Sequence, residues 1–325
     1  MSAHPPLIPT RLADVAAPLP WRSQLRRLVL RSRGAPLPTS TSTGSGWPVL
    51  RALLRDAGAL VGLALLLAVA FLALTADVFF PGDPLDIVSA PLLRPLTDPQ
   101  VWLGTDQLGR DIAAGLAHGA RVSLLVGLTA ATVGVTLGTL IGATAGYFGG
   151  RVDAVLNWLI EIFQTTPSFL LVVVIVSITQ SSLEVIAVVI GLTTWETVAR
   201  LIRAQFRALL SADFVLAARS MGFGHGRIIF REILPNALPP IVVTASVMVA
   251  GAILMESSLA FLGVGDPNRV SWGSMIGGGR EMLRSAWYLT VIPGLALVAT
   301  VFGLNLIGDA LIEAMNPRLR GRVSP

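Results

Sequence analysis

Acidic side chains inside long apolar stretches are the first candidates for chemistry, because a carboxylate in hydrocarbon is costly and marks a functional position by default. Glu161 is followed by Gln164, Thr165, Thr166 and Pro167. Glu161, Gln164 and Thr165 either line an aqueous path ending in a proline kink or close a helix at the headgroups. Glu256 stands deeper, beside Met255, Ser257 and Ser258, where a hydrogen bond to a neighbouring helix is the expected role. Asp309, with Asn305, is read as the cap or anchor of the last apolar stretch. Other chemistry is thin. His4, His118 and His225 are scattered, so neither a histidine metal site nor a Ser/His/Asp arrangement is legible. The chain has no cysteine, which excludes disulfides, thiolate metal sites and a cysteine nucleophile. All 24 basic residues are arginine, and without lysine there is no P-loop. No intrinsic enzyme and no metal site are expected.

A docking element is more legible than a catalytic one. Within the polar segment 200–232, Phe214, Ala217, Ala218 and Met221 fall at i, i+3, i+4 and i+7, one face of a short helix. Gly222 stands where a helix C-terminus needs positive φ. The two alanines at the centre of the stripe allow close approach by a partner; the residues alone also allow an interfacial helix resting on lipid.

A third pattern is structural. Gly134, Gly138, Gly142 and Gly146 recur at every fourth residue, giving a bare groove along one helix face. Lipid tails supply no hydrophobic drive between helices, so such a groove reads as a tight helix–helix seam rather than a pathway lining.

These features need a membrane scaffold. The chain has 325 residues, of which 53% are apolar and only 13% charged, about half the ~25% charge of soluble domains. Mean hydropathy is +0.73. So few charges cannot cover a water-facing surface, and an integral membrane protein follows. A crossing needs ~20 apolar residues, and six candidates emerge: Ala57–Ala76, Val122–Gly150, Ile162–Leu183 (its helix starting near Ala154), Val185–Ala199, Ile233–Gly265 and Ser285–Gly308. Of the 24 arginines, 18 fall in the tail, the second-to-third turn, the fourth-to-fifth loop and the C-terminus, against 6 in the alternate loops. The positive-inside rule then places both termini in the cytoplasm. The net charge of +5 follows from this topology and implies no nucleic acid.

Residues 1–50 read as a separate flexible cytoplasmic tail, rich in proline and arginine and lacking the apolar core of a secretory signal. Within it, Trp21–Arg33 is either a short helix on anionic lipid or disordered chain whose arginines fix orientation. Residues 51–325 form the transmembrane domain.

The order of motifs resembles a known family. Asp213-Phe-Val-Leu-Ala-Ala-Arg-Ser-Met-Gly222 followed by Ile228-Ile-Phe-Arg-Glu-Ile-Leu-Pro-Asn236 is similar to the EAA loop of ABC-importer permeases. Further segments resemble the C-type permease subunit of dipeptide and oligopeptide importers. They are Trp102-Leu-Gly-Thr-Asp-Gln-Leu-Gly-Arg-Asp111, Gly119–Gly127, Ala145–Gly150, Glu256–Gly265, Ser271-Trp-Gly273, Asn305–Asp309 and Asn316–Arg320. One departure stands out: Leu216 occupies the place of the family's usual glutamate, so an ion pair there gives way to Asp213 or to shape.

The resemblance implies an all-α polytopic protein with the six-helix ABC type I importer permease fold, in the bacterial plasma membrane. It implies a heterodimer with a homologous permease subunit, two ATP-binding subunits carrying ATP and Mg, and an extracytoplasmic substrate-binding protein. Asp213, Phe214, Leu216, Ala217, Ala218, Met221 and Gly222 would then dock an ATPase. Import of nickel or another small solute by the same architecture remains an alternative, as does a stand-alone secondary transporter, although no inverted halves with broken midplane helices are visible.

Overall fold

The computed structural model describes residues 53–179 and 181–315. The tail with its Trp21–Arg33 stretch, the domain boundary at 50/51 and the Asn316–Arg320 motif lie outside the described residues. No strand occurs among the described residues beyond one isolated bridge, Thr105 to Asp111.

Local chemistry sets the helix ends. Asp56 caps α1 (Ala57–Leu74), its carboxylate accepting from the N–H groups of Gly58 and Ala59, which satisfies donors that no preceding turn provides for. One turn follows as α2 (Ala76–Phe79). Asp111 caps α3 (Ile112–Phe148) in the same way, through the N–H of Ala113. Gly149 and Gly150, both at positive φ (63° and 54°), turn the chain sharply into α4 (Gly150–Thr165). Pro167 then keeps Thr166 extended (ψ 127°). The chain resumes as α5 (Ser168–Ile178) at 84° to α4. Ser182 caps α6 (Leu183–Leu209). The short α7 (Asp213–Ser220) precedes α8 (His225–Phe261), whose second turn, Ile228–Ile233, is π-helical. A Ser271/Ser274 capping box opens α9 (Trp272–Gly279), and α10 (Tyr288–Met315) closes the described chain.

Five of these helices, α1, α3, α6, α8 and α10, are long and apolar enough to cross a membrane; α4 and α5 reach that length and apolarity only together, as a pair bent by 84° that makes a sixth crossing if it is one broken span rather than a re-entrant loop. Five of the six expected crossings are therefore present with different bounds, and the third falls on the bent pair. The second begins at Ile112 rather than Val122, because Arg121 need not mark a span end. Its guanidinium donates to the carbonyl of Ala73 and pairs with Asp77 at 3.0 Å. The fourth runs over 27 residues rather than Val185–Ala199, and it absorbs Arg200, Arg203 and Arg207. The fifth begins at His225. Consequently only about residues 210–224 of the 200–232 segment lie between long helices. Asp309 is not a terminal cap, since α10 continues to Met315.

The centre of the fold is the contact of α3 with α6. Side chains built on Gly138, Gly142 or Gly146 would run into α6: at Gly138 a Cβ would lie 2.6 Å from the Trp195 carbonyl oxygen, and at Gly146 2.8 Å from that of Arg203, whereas one on Gly134 would first meet the end of Met248 of α8. From the other side, Gly191 meets the Ala130 carbonyl at 2.6 Å. Close approach of small residues is how helices associate without a hydrophobic drive. The first and last crossings use the same device. A Cβ on Gly62 would lie 2.8 Å from the Gly303 carbonyl oxygen.

Candidate functional site

Below the α3–α6 seam, α7 lies on the chain with one face down. Val215 and Ala218, three residues apart, are buried and pack with Ile202 and Phe206 of α6 and Ile228 and Ile233 of α8. The helix ends in a Schellman motif. The N–H of Gly222 donates to Arg219 O (2.9 Å) and that of Phe223 to Ala218 O (3.1 Å), while Gly222 takes φ +77° and Phe223 packs against the same cluster. The expectation that Gly222 needs positive φ matches this geometry. The expected stripe does not stay on one side. Ala218 turns inward, because α6 is long enough to pass beneath the helix, and Val215 is its inner partner. Asp213, Phe214, Leu216, Ala217 and Met221 remain exposed, with Phe214 at 40%, Leu216 at 48% and Met221 at 64%. The spacing Val215–Ala218 was available as the inward signal, but two alanines in a row made the neighbouring stripe look equally continuous.

Two polar contacts fix the ground beneath α7. Asp153 of α4, nearly buried, pairs with Arg203 (Nη2–Oδ2 2.9 Å) and Arg207 (3.5 Å) of α6. Tyr147, near the end of α3, hydrogen-bonds His225 through its hydroxyl at 2.8 Å. Arg219 of α7 lies 5.9 Å from the Tyr147 ring centroid. Sequence reading missed both contacts. The i, i+4 arginines Arg203 and Arg207 signalled one charged face, but nothing in the sequence pointed them at Asp153.

Glu161, Gln164 and Thr165 are exposed on α4, well separated in sequence from α7. The Asn157 amide donates to Glu161 at 2.5 Å, and Thr165 returns its hydroxyl to the Ile162 carbonyl. Glu256 is buried, and Ser257 donates to it at 3.4 Å, with the Ser271 hydroxyl a second partner. Ser271 opens α9, so this carboxylate ties two elements together. Among the described residues no group of three or more His, Cys, Asp and Glu is placed to hold a metal ion.

Two helices joined at a bend, a glycine-seamed pair and a short helix seated at their ends form a frame that other chains share. The sequence profile of the binding-protein-dependent transport system inner membrane component matches residues 138–321. The chain belongs to this family. The permease is 36% identical over 272 residues to the di/tripeptide transport system permease protein DppC of Pseudomonas aeruginosa (strain UCBPP-PA14), covering 82% of this chain and 90% of that one. It is 33% identical over 265 residues to the oligopeptide transport system permease protein OppC of Bacillus subtilis (strain 168), covering 81% and 86%. Its fold is similar to a chain of the MetNI methionine ABC transporter solved in inward-facing conformations, with a TM-score of 0.52, 19% identity, and coverage of 62% of this chain and 96% of that chain. The permease is thus an ABC-importer transport subunit of the bacterial inner membrane, a multi-pass protein and not an enzyme.

Proposed function

We propose that this permease is one half of the translocation path of an ATP-driven importer of di- and oligopeptides, paired with a related permease subunit. The observation that carries the coupling role is the two-faced α7. Its inner face is committed to α6 and α8, while Phe214, Leu216, Ala217 and Met221 leave an apolar outer face exposed in a polar segment. An ATP-binding subunit seated on that face would move α7, and through Val215 and Ala218 it would move α6 and α8 together. Docking rests on shape and apolar contact, with Asp213 as its only acid, since Leu216 carries no charge. The exposed Glu161, Gln164 and Thr165 on α4 suit the face turned toward the sister subunit and the path between them. Both termini are placed in the cytoplasm, on the side of the ATPases, with a substrate-binding protein delivering cargo on the other side. ATP and Mg belong to the ATPases, residues 1–50 to a cytoplasmic tail, and residues 51–325 to the transmembrane domain.

Peptide cargo is supported by the similarity to DppC and OppC. The test is copurification of the tagged permease with its neighbouring gene products, followed by uptake of labelled dipeptides, longer peptides and nickel ions into vesicles. ATP-dependent accumulation of peptide is the expected result; accumulation of nickel alone would reassign the cargo, and uptake without ATPases would point to a stand-alone transporter.

A further inference from the structure

On the side opposite α7 in the proposed topology, a cleft of about 220 Å³ opens between the 84–115 segment, the 266–270 loop, α9 and the start of α10. Its charged lining is mixed: Asp106, Asp111 and Asp266 with Arg110 and Arg269. The acids are largely committed to backbone. Asp106 Oδ1 accepts from the N–H groups of Leu108 and Arg110 (2.8 and 2.9 Å). Asp111 caps α3. Asp266 holds Leu183 and Asn268. Neither arginine is in an ion pair among the described residues, whose four pairs all lie elsewhere. Arg110 Nε is buried with no hydrogen-bond partner, an arrangement that is costly unless something satisfies it. Burial pushes the Asp111 carboxyl up, opposed by the backbone N–H groups of Ala113 and Ala114. Asp106 is half-buried, and among the described residues both side-chain hydrogen bonds it accepts fall on Oδ1, leaving Oδ2 free to accept another.

The cleft therefore holds a buried guanidinium nitrogen without a partner and a carboxylate oxygen able to accept one. A bare divalent cation meets two arginines, and a simple anion meets three acids. A molecule carrying both charges satisfies both. We infer that this cleft is a subsite for a small zwitterion with free termini, Arg110 and Arg269 receiving its carboxylate and Asp106 its ammonium. The inference rests on the peptide-importer reading and adds to it a contact with cargo on the permease itself.

The test uses the full chain in lipid vesicles and a dipeptide bearing a photoactivatable diazirine side chain, in three forms: free termini, C-terminal amide and N-acetyl. Labelling of the free form should map to residues 84–115 and 266–289, and each blocked form should label about tenfold less, the scale of one lost charge-assisted hydrogen bond. Arg110→Gln should erase the difference between free acid and amide while keeping that between free amine and N-acetyl; Asp106→Asn should do the reverse. If Arg110→Gln fails to insert, the exposed Arg269→Gln carries the same readout. Equal labelling by all three forms, or unchanged discrimination in the arginine variant read, overturns the subsite. Photolabelling needs neither ATPase nor transport, so its failure leaves the coupling reading standing, and loss of ATP-dependent uptake leaves the labelling result intact.

Discussion

The carbonyl oxygen of Ala199 occupies the place where a side chain on Gly142 would begin. Backbone touches backbone there, so the α3–α6 seam belongs to the interior of this subunit and not to an interface with its sister. Gly142→Leu should therefore prevent folding. Gly142→Ala should also destabilise the chain, by ~1–3 kcal/mol for an overpacked site or more, because the obstructing atom is backbone and has no rotamer to escape into. The four-residue spacing by itself would allow alanine or serine there, since small residues permit close helix approach; the Ala199 carbonyl does not. Gly134→Ala is the contrast: its added methyl meets the flexible end of Met248, which can move. Thermal unfolding of the detergent-solubilised variants checks the order, with Gly142→Ala well below Gly134→Ala.

Asp153 between Arg203 and Arg207 clamps α4 to α6 just beyond the Gly149–Gly150 turn. Removing one partner of a fully buried pair costs ~3–5 kcal/mol; Arg207 is half exposed, so Asp153→Asn should cost about 2 kcal/mol after solvent screening. Arg207→Gln should cost under about 1 kcal/mol, since Arg203 retains the main bond. The two unfolding midpoints, measured side by side, separate the roles.

Much of this was legible in the chain itself. The glycine repeat announced a seam because spacing by four lies on one helix face, and Gly222 announced its turn because few other residues accept positive φ. The rest depended on distance. Ala218 looked like part of an outward stripe because the sequence does not reveal that α6 runs on to Leu209 beneath it. Arg121 looked like a span boundary because its partner, Asp77, sits across a loop of unknown course. The kinship of Gly62 with Gly303 joins residues at opposite ends of the chain, and the single pair Gly58 and Gly62 in α1 and the unevenly spaced Gly294, Gly303 and Gly308 in α10 form no run long enough to announce a seam. In the cleft, arginine and aspartate read as ordinary loop charges until their hydrogen bonds are followed individually.

The topology is tested by reporter fusions. Fusions after Ala90 and after Met275 should report outside, and those after Arg151, Gly224 and Pro325 inside. An outside result at Gly224 removes α7 from the reach of cytoplasmic ATPases.

Leu216→Glu restores the family's usual residue at an exposed position of α7. With Leu216 at 48% exposure, the fold should be unchanged, with an unfolding midpoint within about 0.5 kcal/mol of wild type. Tighter ATPase copurification is expected where the partner keeps a basic side chain opposite, and weaker copurification where the contact has become apolar. The salt dependence of the variant tells these apart, since only the ionic contact weakens as salt screens it.

The central claim is that the outer face of α7 carries ATPase coupling while its inner face carries the fold. Ala217 and Ala218 are adjacent in sequence, but Ala217 is exposed and Ala218 is buried. The decisive measurement is ATPase copurification together with ATP-dependent peptide uptake for Ala217→Trp, read against the unfolding midpoint. Ala217→Trp should leave the midpoint unchanged, weaken docking about tenfold or more and abolish uptake, while Ala218→Trp should lower the midpoint itself. Wild-type copurification and uptake in Ala217→Trp would contradict the claim.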